Sequence, residues 1–166
     1  AARHLLRQRR EFDPELSLVA EIDGKIVGHV LFSPHVIRLL EQDVKAVNLA
    51  PIAVDPQHQG KGIGKALIYQ GHEAARTKSY TLSFLLGHVE YYPHFGYKTG
   101  VYGVASVDLA YPHLNKSDLS ERELKTRSPI EADILTLQQL WLHEETHVDF
   151  AINPGQSLLD WISPNP

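Results

Sequence analysis

The chain has 166 residues, of which 43% are hydrophobic and 22% charged, with a formal net charge of −4. That is ordinary globular composition, enough for one domain with an appendage, and with no dominant basic patch it argues against nucleic acid as the main partner. Cysteine is absent, which excludes disulfides, thiolate metal sites and a cysteine nucleophile and suits a reducing cytoplasm; no apolar run approaches the ~20 residues that a membrane span needs.

The first predicted element is a helix over Ala1–Glu11, with Arg3, Arg7, Arg9 and Arg10 as one solvated face. Phe12-Asp13-Pro14 stops it. Leu16–Ile22 and Lys25–Phe32 alternate as strands about the tight-turn pair Asp23-Gly24, giving a β-hairpin. Pro34 and the mixed segment Arg38–Lys45 suggest a loop or excursion. Val47–Val54 is the third strand. Pro51 within it cannot donate to a ladder, so a bulge is expected that would leave backbone groups free for a ligand.

Gly60–Lys78 reads as a helix, with Ile63, Ala66, Leu67, Ala74 and Ala75 inward and Lys61, Lys65, Glu73 and Arg76 outward. Thr81–Leu86 is a strand, and Glu90–Phe95 a short helix or turn ending at Gly96, a C-cap position. Tyr97–Val107 supplies one or two short strands. Beyond Tyr111 the composition turns polar, and a new helical pattern runs from Glu131 to about Glu145. These shifts divide the chain into residues 1–111 and an extension, 112–166.

The most informative stretch is Val54-Asp-Pro-Gln-His-Gln-Gly-Lys-Gly-Ile-Gly-Lys65. A strand passing through bare glycines into a helix aims free N–H groups, and the positive end of the helix dipole, at one point, where a phosphate or pyrophosphate fits. The P-loop pattern fails because Ala66 follows Gly64-Lys65, and the dinucleotide fingerprint fails because Lys65 stands at the third glycine. Gln57-His58-Gln59-Gly60-Lys61-Gly62 fits Q-x-x-G-x-G.

On that motif the chain resembles the GNAT superfamily of acetyl-CoA-dependent N-acetyltransferases. Asn48–Pro56 is similar to the family's bulged fourth strand, whose backbone binds the pantetheine arm. Glu90–Lys98, with Tyr92 four residues before the Gly96-Tyr97 pair, is similar to its later tyrosine motif. Together they look most like the YhbS-like branch, over Leu16–Val107. The resemblance implies an α/β (α+β) fold: a mixed, mostly antiparallel twisted sheet flanked by helices, here with a helical C-terminal appendage. It implies acetyl-CoA as co-substrate, held by Ile52, Ala53, Val54, Gln59, Gly60, Lys61, Gly62, Ile63, Gly64 and Lys65. It implies an oxyanion donor in the backbone near Ile52 and Tyr92 as the acid that protonates the leaving thiolate. Tyr91 reads as its packing neighbour.

Two features depart from the family. Its opening strand and helix are reduced to one helix, and Asn48, Leu49 and Ala50 stand where some members carry a glutamate base. His88, Glu90 and His94 remain as bases acting through water. The implied partner is a small-molecule or peptide amine, without nucleic acid or membrane; a homodimer is compatible. A catalytically silent acetyl-CoA-binding or sensor domain is equally permitted by intact glycines.

His143-Glu144-Glu145-Thr146-His147 is an HExxH match, which on a helix can bind zinc for a metallohydrolase. Phe150 and Asn153 fail the extended motif, so no metal is assigned. Arg127–Trp141 resembles the opening strand and helix of a GNAT unit. It reads as the start of a second such unit or as a segment folding back on the first, the former favoured because consecutive elements are usually neighbours.

Overall fold

A computed structural model describes residues 6–101, 126–145 and 150–155. Its strands are β1 (Ser17–Ile22), β2 (Lys25–Leu39), β3 (Gln42–Val54), β4 (Leu82–Phe84) and β5 (Phe150–Asn153), with helices α1 (Ile63–Thr77) and α2 (Ile134–Glu145). The strands form one mixed sheet in the order β1-β2-β3-β4, with β5 also on β2. Among the described residues only the β3–β4 pair is parallel. At about 3.3 Å per residue, β2 is long enough to carry two partners end to end along one edge. β1 takes its Lys25–Leu31 part and β5 its Val36–Leu39 part. Pro34 falls in the stretch between them, where its missing N–H costs no ladder bond.

The Asp23-Gly24 turn forms as expected, both residues having positive φ. The loop expected over Arg38–Lys45 does not: β2 and β3 continue as a hairpin to Leu39↔Gln42, turning at Leu40-Glu41 with φ of 46° and 64°. That pair carries none of the usual Gly, Asn or Asp turn signals, so the sequence hides it. The helix expected over Ala1–Glu11 is also corrected. Residues 1–5 lie outside the described residues; of the rest, Leu6 alone is helical, and Arg7–Glu11 form turns and a bend. There Arg7 donates to Ser17 Oγ and His29 Nε2, so tertiary hydrogen bonds override helix propensity.

The expected bulge at Pro51 is present. Val30 pairs with Ile52 and Phe32 with Leu49, so Leu31 alone faces both Ala50 and Pro51, whose peptide is cis. Alternation then sorts the faces. Gly28, Val30 and Phe32 share a face with Val54, Ile52 and Leu49 and meet α1. Leu16, Val30, Phe32, Val47, Leu49, Leu67, Ile68 and Ala75 form the core, each large side chain contributing about 1.5–3 kcal/mol by burial. The other face carries His35, whose ring meets Phe84 edge-on at 5.6 Å.

α1 buries Leu67, Ile68, Gly71 and Ala75. Ala66, expected inward, is exposed, because the helix is phased on the 67/68/71/75 stripe that meets Phe32. β4 is shorter than the expected Thr81–Leu86. Residues 97–100 form no strand, and 102–107 lie outside the described residues. A 3₁₀ turn at Tyr92–Phe95 ends at Gly96 with φ 88°, as expected. Among the described residues no helix is long and apolar enough to cross a membrane.

Candidate acetyl-CoA site

The bulged half of β3 has an open edge. β4 pairs only with Ala46–Asn48, so among the described residues Leu49–Val54 has a strand neighbour on one side alone, β2. Asp55 N–H donates to Val27 O at 2.8 Å and therefore points to β2. By alternation Ala53 points there as well, and Ile52 and Val54 turn their N–H and C=O groups to the open side. Consistent with this, the Val54 carbonyl accepts from Gln59 Nε2 at 3.1 Å, tying the strand's end to the loop that follows.

That loop is built for bare backbone. Asp55 accepts from Gln57 N–H, and a single 3₁₀ turn runs Pro56–His58. Gly60 and Gly62 follow with φ of 74° and 81°, a left-handed conformation that L side chains rarely adopt. A Cβ at either would meet nothing within 4 Å. The glycines are thus required by conformation, and the space above them is open to a ligand. Gly62 caps α1 without a side-chain hydrogen bond, and no acidic residue stands in the first turn. The N–H groups of that turn, which have no intrahelical acceptor, and the dipole's positive end face outward between the exposed Lys61 and Lys65.

The second motif folds back toward the first. Tyr91 Oη lies 3.2 Å from where a Gly64 Cβ would stand. Tyr91 is the more exposed of the pair, at 44%, and Tyr92 is half-buried, its ring against Gly87 and the core. Tyr91, expected as the packing neighbour, does pack edge-on against Tyr92 at 5.2 Å, but its ring is the more exposed of the two. Burial raises the Tyr92 phenol above its ordinary value, with the neighbouring Tyr91 adding to it, so Tyr92 stays protonated at neutral pH. Behind it, Tyr97 Oη hydrogen-bonds His72 Nε2 at 2.8 Å and Ser83 Oγ at 2.6 Å, joining α1 to β4. Burial pushes Tyr97 up to about 12 and lowers His72. Neither His72 nor Ser83 was singled out from sequence, since their pairing depends on three separate elements meeting.

Of the candidate bases, His88, Glu90 and His94 are exposed, and His94 Nδ1 lies 3.1 Å from the Tyr91 carbonyl. His143 of the HExxH match is exposed near the end of α2; His147 lies outside the described residues. Among the described residues no group of three or more His, Asp or Glu is placed to hold a metal.

Residues 2–100 match the family described as the acetyltransferase (GNAT) domain. The chain belongs to the GNAT acetyltransferase family. It is 43% identical over 86 residues to the uncharacterized N-acetyltransferase YjhQ of Escherichia coli K12, covering 51% of this chain and 47% of that protein. It is 29% identical over 109 residues to the uncharacterized N-acetyltransferase YhbS of the same strain, covering 57% and 64%. A crystal structure of a GNAT family acetyltransferase from Brucella melitensis in complex with acetyl-CoA is 40% identical, with a TM-score of 0.45, over 49% of this chain and 52% of that one. The chain thus spans about half to two thirds of the length of these relatives.

Proposed function

We propose that the chain is a GNAT N-acetyltransferase that moves the acetyl group of acetyl-CoA directly to a primary amine. The observation that carries this is the pair of left-handed, side-chain-free positions Gly60 and Gly62 opening α1 beside the unpaired edge of β3. The pyrophosphate takes the N–H groups of Gly60–Lys65. The pantetheine arm extends the sheet along Ile52–Val54, using the outward backbone groups as a strand would. In the family relative from Brucella the bound molecule is acetyl-CoA, which supports the same ligand here.

The reaction follows from these parts. A neutral amine attacks the thioester carbonyl and a C–N bond forms. The developing oxyanion is met by the outward N–H at Ile52. The C–S bond then breaks, and Tyr92 donates its proton to the thiolate, regaining one from solvent. The amine's proton leaves through water. The acceptor is a small-molecule or peptide amine, and the reaction is read as cytoplasmic, consistent with a chain that has no cysteine. An acetyl-CoA-dependent thiol-release assay across a library of amines tests the reading: at least one amine should release thiol in proportion to acetylated product. A chain that binds acetyl-CoA but acetylates no amine in the library would point to the silent binding domain instead.

A further inference from the structure

Tyr91 and Tyr92 are adjacent in sequence, yet they serve different parts of the molecule. Tyr92 is folded into the core's margin. Tyr91 is exposed, and its phenol reaches across to the first turn of α1, where Gly64 stands two residues beyond the cap Gly62. Gly64 has no left-handed φ, unlike Gly60 and Gly62. Its lack of a side chain is therefore a matter of space, and the space is shared by Tyr91 Oη at 3.2 Å and Val54 Cγ2 at 3.7 Å from the position of a Cβ. The phenol thus hangs at the junction where the open strand ends and the helix begins.

The ring is fixed there from behind. It packs edge-on against Tyr92 at 5.2 Å and Phe95 at 5.1 Å, and Phe95 packs on Tyr69 of α1 at 5.7 Å. The backbone is held by a turn in which Tyr91 N–H donates to His88 O, and His94 N–H to Tyr91 O. Among the described residues, the hydrogen bonds that involve Tyr91 use its backbone, which leaves the hydroxyl as an available donor beside the helix start.

We propose that Tyr91 is a further acetyl-CoA-binding residue, its phenol donating a hydrogen bond to the pyrophosphate held at the start of α1. This rests on the acetyl-CoA reading above. A hydroxyl suits this role, because it adds a donor opposite the helix N–H groups. A hydrogen bond to an anion is roughly twice as strong as a neutral one. Gly64 is the complementary half of the device, because a larger residue would push the phenol away.

The test is calorimetric titration of the whole chain with CoA and with 3′-dephospho-CoA, which keeps the pyrophosphate and lacks the ribose phosphate. Tyr91→Phe preserves the ring contacts, so its melting temperature should match the parent's. It should weaken both ligands by about 10-fold, the scale of one charge-assisted hydrogen bond. Gly64→Ala keeps the phenol but crowds it, and should weaken both ligands as well. Unchanged CoA affinity in Tyr91→Phe, with the parent binding normally, would overturn the assignment and leave the acetyl-CoA reading intact. A loss seen with CoA but not with 3′-dephospho-CoA would also overturn it, by moving the contact to the ribose phosphate. A parent chain that binds neither ligand would overturn the acetyl-CoA reading and this inference with it.

Discussion

The Phe32 ring occupies the place where a side chain on Gly71 would have to go: an ideal Cβ there would lie 1.9 Å from Phe32 Cε2. Sheet and helix meet tightly at this point, with Phe32 fully buried and His72 meeting the same ring edge-on at 5.6 Å. Gly71→Ala sets two effects against each other. Alanine gains up to about 1 kcal/mol of helix propensity. Overpacking a filled core costs about 1–3 kcal/mol, and the obstacle is a rigid ring with no exposed end to swing away. Overpacking should win, with a net loss of roughly 1–2 kcal/mol, read as a lower urea midpoint with an unchanged slope. A midpoint equal to or above the parent's would show that the ring relocates at no cost.

Gly62 separates folding from binding. Aspartate and asparagine both tolerate the left-handed conformation better than other residues, and a Cβ at Gly62 meets nothing within 4 Å. Gly62→Asp places a negative charge at a helix N-terminus, which favours the helix by about 0.3–1 kcal/mol, yet it stands where the pyrophosphate is proposed to sit. Relative to Gly62→Asn, the aspartate variant should melt no lower and bind CoA at least about 10-fold more weakly. Equal affinity of the two for CoA, by calorimetry, would remove the anion from this loop.

Tyr92→Phe should keep CoA affinity and lower turnover by about 10²-fold or more, the range for a general acid. Burial raises the Tyr92 phenol, so its proton is available through neutral pH and is lost only above the ordinary value of about 10. The parent should therefore show no alkaline loss of rate from this group below that pH. Normal turnover in Tyr92→Phe would transfer the acid role elsewhere.

His72 gives the fold a pH dependence with a definite sign. Burial lowers its folded value below the ordinary 6.5, so the unfolded chain binds the proton more readily. The stability held in the neutral ring is fully present above about pH 6.5 and is lost as pH falls through the lower folded value. The neutral ring also hydrogen-bonds Tyr97 Oη. His72→Gln should flatten the fall in melting temperature between pH 7 and 5 relative to the parent. Parallel curves would assign that slope to other groups.

Much of this architecture is legible in local sequence. The Asp23-Gly24 turn, the bulge at Pro51, the bare loop at Gly60–Gly62 and the cap at Gly96 each follow from one residue's backbone preference. What stayed hidden depends on distant partners. The Leu40-Glu41 turn is set by β2–β3 pairing and has no turn residues to announce it. Gly71 reads as an ordinary helical glycine until Phe32 arrives from the sheet. Tyr91 and Tyr92 differ in the string only by their spacing to Gly96, and it is the 3₁₀ turn that decides which hydroxyl meets Gly64.

Residues 112–166 are proposed as an extension to a unit of residues 1–111. Its described contribution to the sheet is β5, which pairs Ile152 with Ile37 and Ala151 with Arg38; Ile37 is fully buried and Ala151 nearly so. This contact lies at the β2–β3 turn end of the sheet, whereas the loop at Gly60–Lys65 follows the opposite end of β3. A chain ending at Lys116 should therefore still melt cooperatively, at a lower temperature because the Val36–Leu39 edge and Ile37 lose their cover. Its acetyl-CoA affinity should stay within about threefold of the parent's, less than the tenfold that 1.4 kcal/mol represents. Aggregation or loss of the cooperative transition would make the extension part of the first unit's core and move the boundary. A folded chain with binding abolished would instead place part of the ligand site in the extension.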